Sequence, residues 1–174
     1  MELGKLAELV GGSLVHGDQD SRRFVGVSID SRSIGSGQLF IALRGERTDG
    51  HEYLSQALER GASAVLVESS STHLTGLSSS APVISVPDTH AAMVRLAKVY
   101  RDSVPAVRIG ITGSNGKTTT KEIAYTLISL VSPHAYRSPG NLNNLYGAPL
   151  ALFAMPQKTK FAVLEMGVSI PGEM

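Results

Sequence analysis

Three glycines, a lysine and four threonines stand close together in "GITGSNGKTTT" at 110–120. A loop that binds phosphate needs this combination. Glycines let the backbone approach the ligand and turn its N–H groups inward, and a following helix adds unpaired amides and the positive end of its dipole. A lysine then reaches the terminal phosphates, and the next hydroxyl ligates Mg²⁺. Gly113, Gly116, Lys117 and Thr118 supply these parts, with a β-branched run before them and an amphipathic stretch behind. The strict G-x-x-x-x-G-K-[ST] pattern puts a glycine at 111, where this chain has Ile111, and Gly110 makes the spacing one residue too long. The competing reading is a glycine-rich strand-to-helix turn with an exposed lysine. GKTT after a buried strand at 106–112 is hard to derive from packing alone, which favours the phosphate loop.

Three further groups of residues could do chemistry. Glu165 closes the apolar run "FAVLEMG", and ligands of α/β folds bind at the carboxyl ends of strands. It is a candidate Mg²⁺ ligand opposite Thr118, the alternative being a rim carboxylate in water; Mg²⁺ takes few protein ligands, often a hydroxyl and one carboxylate. In "SPGNLNNLYG", Asn141, Asn143 and Asn144 could orient polar ligand groups, although asparagine clusters are usually turns. Near the start, "SIDSRSIGSGQLFIALRGERTDGH" places Ser31, Arg32, Arg44 and His51 at strand ends, as a site for a phosphorylated or nucleotide ligand or as two solvent loops. His16, His73, His90 and His134 show no ligand-like spacing and read as surface residues.

The elements that position these residues follow from periodicity. Leu3, Leu6, Ala7 and Val10 recur at helical spacing up to Gly11 and Gly12. "SLVHGDQD" reads as a short strand with a Gly-Asp turn, and "RFVGVSID" alternates, with Val25, Val27 and Ile29 on the covered face of a strand. "QLFIAL", "SAVLVE" and "PVISV" predict three more strands, the last two separated by the serine-rich "SSSTHLTGLSSS". Residues 52–60 predict a helix with Gly61 at its C-terminal cap. Asp88 is the expected N-cap of a helix that puts Met93, Leu96, Ala97 and Tyr100 on one face. Pro105 punctuates the chain. Before it lies a mixed α/β unit at 1–104, and after it, at 105–174, the strand, loop and helix of a nucleotide fold that is expected to be incomplete.

Composition narrows the class. The 174 residues are 42% hydrophobic and 18% charged, with a net charge of +1. That suits a protein with a packed core and offers no basic run for a nucleic-acid backbone. There is no cysteine, hence no disulfide and no thiolate metal site. The N-terminus lacks the basic and apolar regions of a signal peptide, and no run approaches the roughly 20 apolar residues of a membrane span. A cytoplasmic protein that does not insert into membranes is expected.

On these motifs the chain resembles the Mur ligases of peptidoglycan synthesis. "GITGSNGKTTT" is similar to that family's phosphate loop, including its departure from strict spacing, and "SIDSR" with "GQLFIALRGERTDGH" resembles its N-terminal uridine-diphosphate domain. "GNLNN", "TKE" and "LEMG" with the later "GEM" look most like the members that add a terminal dipeptide. The resemblance implies a small mixed α/β UDP-binding domain at 1–104 and, at 105–174, the first part of a Rossmann-like P-loop domain with a mainly parallel sheet. It implies an ATP-dependent amide ligase that phosphorylates the carboxylate of a UDP-N-acetylmuramoyl tripeptide and lets the amine of D-alanyl-D-alanine attack the acyl phosphate. Alternatives are a diamino-acid-adding ligase of the same family and a non-catalytic UDP-substrate module.

Carried over by position, Gly113, Ser114, Asn115, Gly116, Lys117, Thr118 and Thr119 would cradle the ATP phosphates, with Lys117 as the catalytic cation. Thr118 and Glu165 would hold Mg²⁺, and Asn143 and Asn144 would lie near the nucleotide. Ser28, Asp30, Ser31, Arg32, Arg44, Gly45, Asp49 and His51 would belong to the UDP site. The family's carbamylated lysine, metal-binding histidine, adenine contacts and amino-acid-binding domain are expected beyond Met174. The chain therefore reads as an N-terminal piece with little or no ATPase of its own, from a ligase that is monomeric at full length.

Overall fold

The computed structural model describes residues 1–16, 23–74, 77, 81–140 and 142–167. The Gly-Asp turn at 17–18, parts of the serine-rich separator, Asn141 and the "GEM" motif lie outside the described residues. The chain forms two compact units, Met1–Leu96 and Ala97–Met174, which divide within the helix that follows Asp88.

The first unit is built on a five-stranded sheet. Helix α1 (Leu3–Val10) leads through Gly11 into β1 (Ser13–His16), and its buried stripe is Leu3, Leu6, Ala7 and Val10, as the spacing predicts. Gly11 takes a left-handed cap (φ 74°), a conformation that costs any residue with a Cβ. Strands β2 (Val27–Ser28), β3 (Leu39–Ile41), β4 (Ala64–Glu68) and β5 (Val83–Val86) run parallel to one another, and β1 joins β5 antiparallel, giving the order β1-β5-β4-β3-β2. Phe40, Val65, Val67 and Val83 bury one face of this sheet against Leu54 and Ala57. Those two belong to α2 (Leu54–Glu59), which continues a 3₁₀ turn at Gly50–Tyr53 and ends before Gly61 (φ 97°).

The alternation in "RFVGVSID" does not produce a long half-buried strand. Val27 and Ser28 alone form a strand, Arg23 makes an isolated bridge with Glu2, and Val25 is 79% exposed. β2 lies at the sheet edge, where the backbone N–H of Val25 bonds the Gly37 carbonyl in a loop and its side chain meets no opposing layer.

Gly12 sits where α1 turns onto the sheet. A Cβ there would lie 2.4 Å from the Ser85 carbonyl oxygen and 2.6 Å from Val86 Cγ1. Since Ser85 is held in the β1–β5 ladder, the strain has no flexible outlet. Gly12→Ala is expected to destabilise the first unit by about 3 kcal/mol in urea unfolding; an unchanged midpoint would contradict this packing.

Helix α3 (Thr89–Ser103) starts at Asp88, whose carboxylate accepts the Ala91 N–H at 2.9 Å. In the second unit the parallel strands β6 (Val107–Ile111), β7 (Ala135–Arg137) and β8 (Phe161–Glu165) stand in the order β6-β8-β7. Helix α4 (Lys117–Val131) follows β6, and α5 (Gly147–Phe153) precedes β8. Val104, Ala106, Met155 and Ala162 form the core, flanked by Tyr100, whose hydroxyl donates to the Met155 carbonyl at 2.6 Å. β7 and α5 escaped the sequence pattern because each is short, and α5 carries a proline.

β6 is not the buried strand expected from its composition. Val107 is 58% exposed and Ile109 is 36% exposed, because β6 forms an edge with β8 as its one strand neighbour among the described residues. Ile123, Leu127, Leu130 and Val131 of α4 are likewise exposed. No helix of the described residues is long and apolar enough to cross a membrane.

Candidate functional site

β6, the 112–116 loop and α4 form the strand-loop-helix unit that the motif requires. Two glycines carry the turn. Gly113 has φ 146° and Gly116 has φ 74° (backbone that L side chains rarely adopt), and Gly116 is the N-cap of α4. The first turn of an α-helix leaves its N–H groups without intrahelical carbonyls, so α4 offers amides and dipole at the loop. Lys117 is the first helical residue, and its ammonium donates to the Gly113 carbonyl at 2.7 Å, folded over the loop. Gly110, one position too early for the strict pattern, has a different reason: a Cβ there would lie 3.0 Å from Met166 Sδ.

Glu165 ends β8 opposite this turn and is buried. Its Oε2 accepts the Thr118 hydroxyl at 3.0 Å and lies 3.2 Å from the ammonium of Lys121, and its Oε1 accepts the Asn143 amide at 2.7 Å. The Glu165 backbone N–H donates to Ser138 Oγ at 2.9 Å. Burial pushes its carboxyl upward, but the hydrogen bonds from Asn143, Thr118 and Lys121, with the Lys121 charge, outweigh burial and hold it below the ordinary glutamate range.

Lys121 was not legible as a site residue. It is 1% exposed, and besides Glu165 it donates to the Gly140 carbonyl at 2.9 Å. One signal could have found it: Thr118 and Lys121 are three residues apart, hence on one face of α4. Asn143 meets Glu165, whereas the carboxamide oxygen of Asn144 caps α5 by accepting the Gly147 N–H at 2.8 Å. Ser114, Asn115 and Thr119 are exposed along the loop and the first helical turn. Among the described residues there is no group of three His, Cys, Asp or Glu that could hold a metal ion. Thr118 and Glu165 instead offer two hard oxygen donors side by side, a set that suits Mg²⁺ when phosphate oxygens complete it.

In the first unit, the parallel strands β2, β3 and β4 bring the loops after each of them to one edge of the sheet. Ser28 Oγ and Asp30 knit a tight turn, and Asp30 grips Arg32 through paired bonds of 2.9 Å to Nε and Nη2. That pair is largely exposed, so it orients the guanidinium more than it stabilises the fold. Ser31 is buried and donates to Gln56 Oε1 of α2 at 2.6 Å. Arg44 stands 3.3 Å from both Asp49 and Glu68, and the Gly45 N–H closes the turn onto the Thr48 carbonyl. Glu68, at the end of β4, and Gln56 were not singled out from sequence.

His51 differs from the ligand contact suggested by its loop position. It is 1% exposed, its Nε2 accepts the Glu68 backbone N–H at 2.9 Å, and its Nδ1 donates to Asp49 at 2.5 Å. With both nitrogens engaged, the ring ties the 44–51 turn to β4. Burial pushes the Asp49 carboxyl up, yet the hydrogen bonds from the His51 backbone and ring, with the His51 and Arg44 charges, leave it below the ordinary aspartate range. A depressed folded value means that its stabilisation is present above the unfolded-state value and is lost as pH falls through the folded one. Asp49→Asn is therefore expected to unfold more easily than the parent at neutral pH, with the gap closing on acidification below the usual aspartate range. A gap independent of pH in denaturant titrations would contradict this.

Residues 23–101 match the family described as "Mur ligase family, catalytic domain" and residues 111–173 match "Mur ligase middle domain". The chain is 41% identical over 169 residues to the UDP-N-acetylmuramoyl-tripeptide--D-alanyl-D-alanine ligase of Bacillus subtilis, covering 97% of this chain and 36% of that protein. The chain belongs to the Mur ligase family. The ligase of the same description from Escherichia coli is 36% identical over 172 residues, covering 99% of this chain and 36% of that one. Among solved structures, a crystal structure of MurF from Acinetobacter baumannii superposes with a TM-score of 0.85 at 29% identity, over 97% of this chain and 36% of that one. MurF ligase from Thermotoga maritima in complex with ADP gives 0.74 at 32% identity, over 87% of this chain and 34% of that one. This Mur ligase chain thus spans about a third of the length of the curated relatives it matches.

Proposed function

We propose that this chain carries the substrate-binding unit and the phosphate loop of an ATP-dependent ligase that joins D-alanyl-D-alanine to a UDP-N-acetylmuramoyl tripeptide. The observation that carries the reading is the Thr118–Glu165 contact of 3.0 Å directly behind a glycine turn headed by Lys117. It rests further on the likeness to ligases so described and to a MurF bound to ADP.

In this reading the amides of 113–119 receive the triphosphate of ATP, and Lys117 exchanges its bond to the Gly113 carbonyl for the phosphate that is transferred. Thr118 and Glu165 would hold Mg²⁺, which when bound neutralises charge on the β- and γ-phosphates. Asn143 keeps the Glu165 carboxylate turned toward Thr118 and lies beside the nucleotide; Asn144 contributes by capping α5. In the first unit, Arg32 and Arg44, oriented by Asp30 and Asp49, face the diphosphate of the UDP group, with Ser28, Ser31 and Gly45 shaping their loops and His51 supporting them from within. The tripeptide carboxylate takes the γ-phosphoryl group, and the dipeptide amine then displaces phosphate from the acyl phosphate to form the amide. We place the functional boundary between the UDP unit and the nucleotide unit at 104/105, and the reaction in the cytoplasm with a monomeric enzyme.

The test supplies a protein containing this chain with ATP, Mg²⁺, UDP-muramoyl tripeptide and D-alanyl-D-alanine and follows phosphate release. Phosphate released only when the dipeptide is present supports the reading. Release with UDP-muramoyl dipeptide and a diamino acid would move the protein to another member of the family, and UDP-substrate binding without phosphate release would leave a binding module.

A further inference from the structure

Lys121 has no part in the loop chemistry described above, yet it is among the most buried side chains of the chain. An ammonium is not taken from water without a reason, since desolvating a cation costs several kcal/mol unless its partners compensate. Here it is shared between the Gly140 carbonyl at 2.9 Å and the Glu165 carboxylate at 3.2 Å. The oxygen of Glu165 that it faces, Oε2, is also the one that accepts the Thr118 hydroxyl. A cation seated between Thr118 and Glu165 would therefore meet a carboxylate whose charge is already matched by a buried ammonium. No other acid of the described residues contacts that carboxylate, and Glu122, 3.7 Å from Lys121, is half exposed and also engages Arg137 at 3.1 Å. At the two oxygen donors the Glu165 carboxylate is matched by the Lys121 ammonium 3.2 Å away, which leaves little net negative charge to attract a free divalent ion.

We propose that Lys121 is a positioning residue that makes the metal end of this site accept a divalent cation only together with the nucleotide's phosphates. By matching the charge of Glu165 it suppresses binding of the free ion. By tying Gly140 to Glu165 it keeps the asparagine loop and the carboxylate in register for a cation that arrives with a polyphosphate. The inference rests on the reading of 113–119 as a phosphate loop.

The experiment measures Mn²⁺, a paramagnetic stand-in for Mg²⁺, by electron paramagnetic resonance on the whole chain, with and without a non-hydrolysable ATP analogue. The parent is expected to show no saturable Mn²⁺ site until the analogue is added. Lys121→Met is expected to gain a free Mn²⁺ site, at least about tenfold tighter than any in the parent, because a nearby positive charge is gone. Lys121→Arg is expected to behave as the parent. The double variant Lys121→Met with Glu165→Gln is expected to lose the gain, which ties the new site to that carboxylate. Should Lys121→Met fail to fold, the parent alone still decides. Saturable Mn²⁺ binding without nucleotide, abolished by Glu165→Gln, overturns the inference while leaving the phosphate loop intact. An analogue that does not bind at all, with or without metal, overturns the loop reading and the inference with it.

Discussion

Lys117→Ala is expected to lower turnover of a ligase containing this chain by roughly 10³-fold or more, the scale on which a cation stabilises phosphoryl transfer. The side chain is suited to that effect because it heads α4, where the helix dipole and first-turn amides already favour an anion. Its ammonium also stands over the loop, 2.7 Å from the Gly113 carbonyl, so little of the loop must move for it to reach a phosphate. The expected signature is a fall in kcat larger than the rise in KM for ATP, since charge on the transferred group grows toward the transition state. Folding is expected to change little, because Lys117 makes no buried ion pair and surface substitutions usually stay within about 0.5 kcal/mol. Near-normal turnover in the alanine variant would remove Lys117 from the mechanism.

Lys121→Ala and Glu165→Ala are each expected to cost about 3–5 kcal/mol of stability, because either change leaves a buried charge without its partner. Both side chains are almost wholly out of solvent, at 1% and 3% exposure. Glu165 would keep hydrogen bonds from Thr118 and Asn143 after loss of Lys121, whereas Lys121 would keep its Gly140 bond and the longer 3.7 Å contact with the half-exposed Glu122 after loss of Glu165. The Glu165 variant is therefore expected to be the less stable of the two. Replacing the pair together, with methionine and glutamine, is expected to cost less than the sum of the single changes, since it removes both charges at once. Denaturant midpoints for the two singles and the double test this; additive losses would mean that the pair is not coupled.

Much of the architecture was open to reading from local pattern. The stripe of α1, the Asp88 cap, the strand runs around Phe40, Val65 and Ile84, and the loop-helix at 113–131 all depend on interactions within a few residues. Such rules are short-ranged: a hydrophobic period, a capping oxygen or a glycine at positive φ acts on its own turn. Glu165 and Thr118 could be named as a pair because strand ends and loop hydroxyls have expected places in this kind of fold.

What local pattern missed depends on partners distant in the chain. The hydrogen bond from Thr118 to Glu165 spans 47 residues and that from Glu68 to His51 spans 17, so neither contact has a sequence signature. Composition made β6 a buried strand, but its place at the edge of β6-β8-β7 leaves it exposed, because burial is set by neighbouring layers and not by the residue. The ring of His51 is taken up by the Glu68 backbone N–H and the Asp49 carboxylate, contacts that its loop position did not reveal. Lys121 carries no sequence signal of burial, and the parallel register of β8 sets a carboxylate beside it. Residue types and spacing thus settled which chemistry this chain can carry. Only the packing of strands against α4 decided which charges face one another, because electrostatics at 3 Å depends on three-dimensional neighbours that short-range pattern cannot contain.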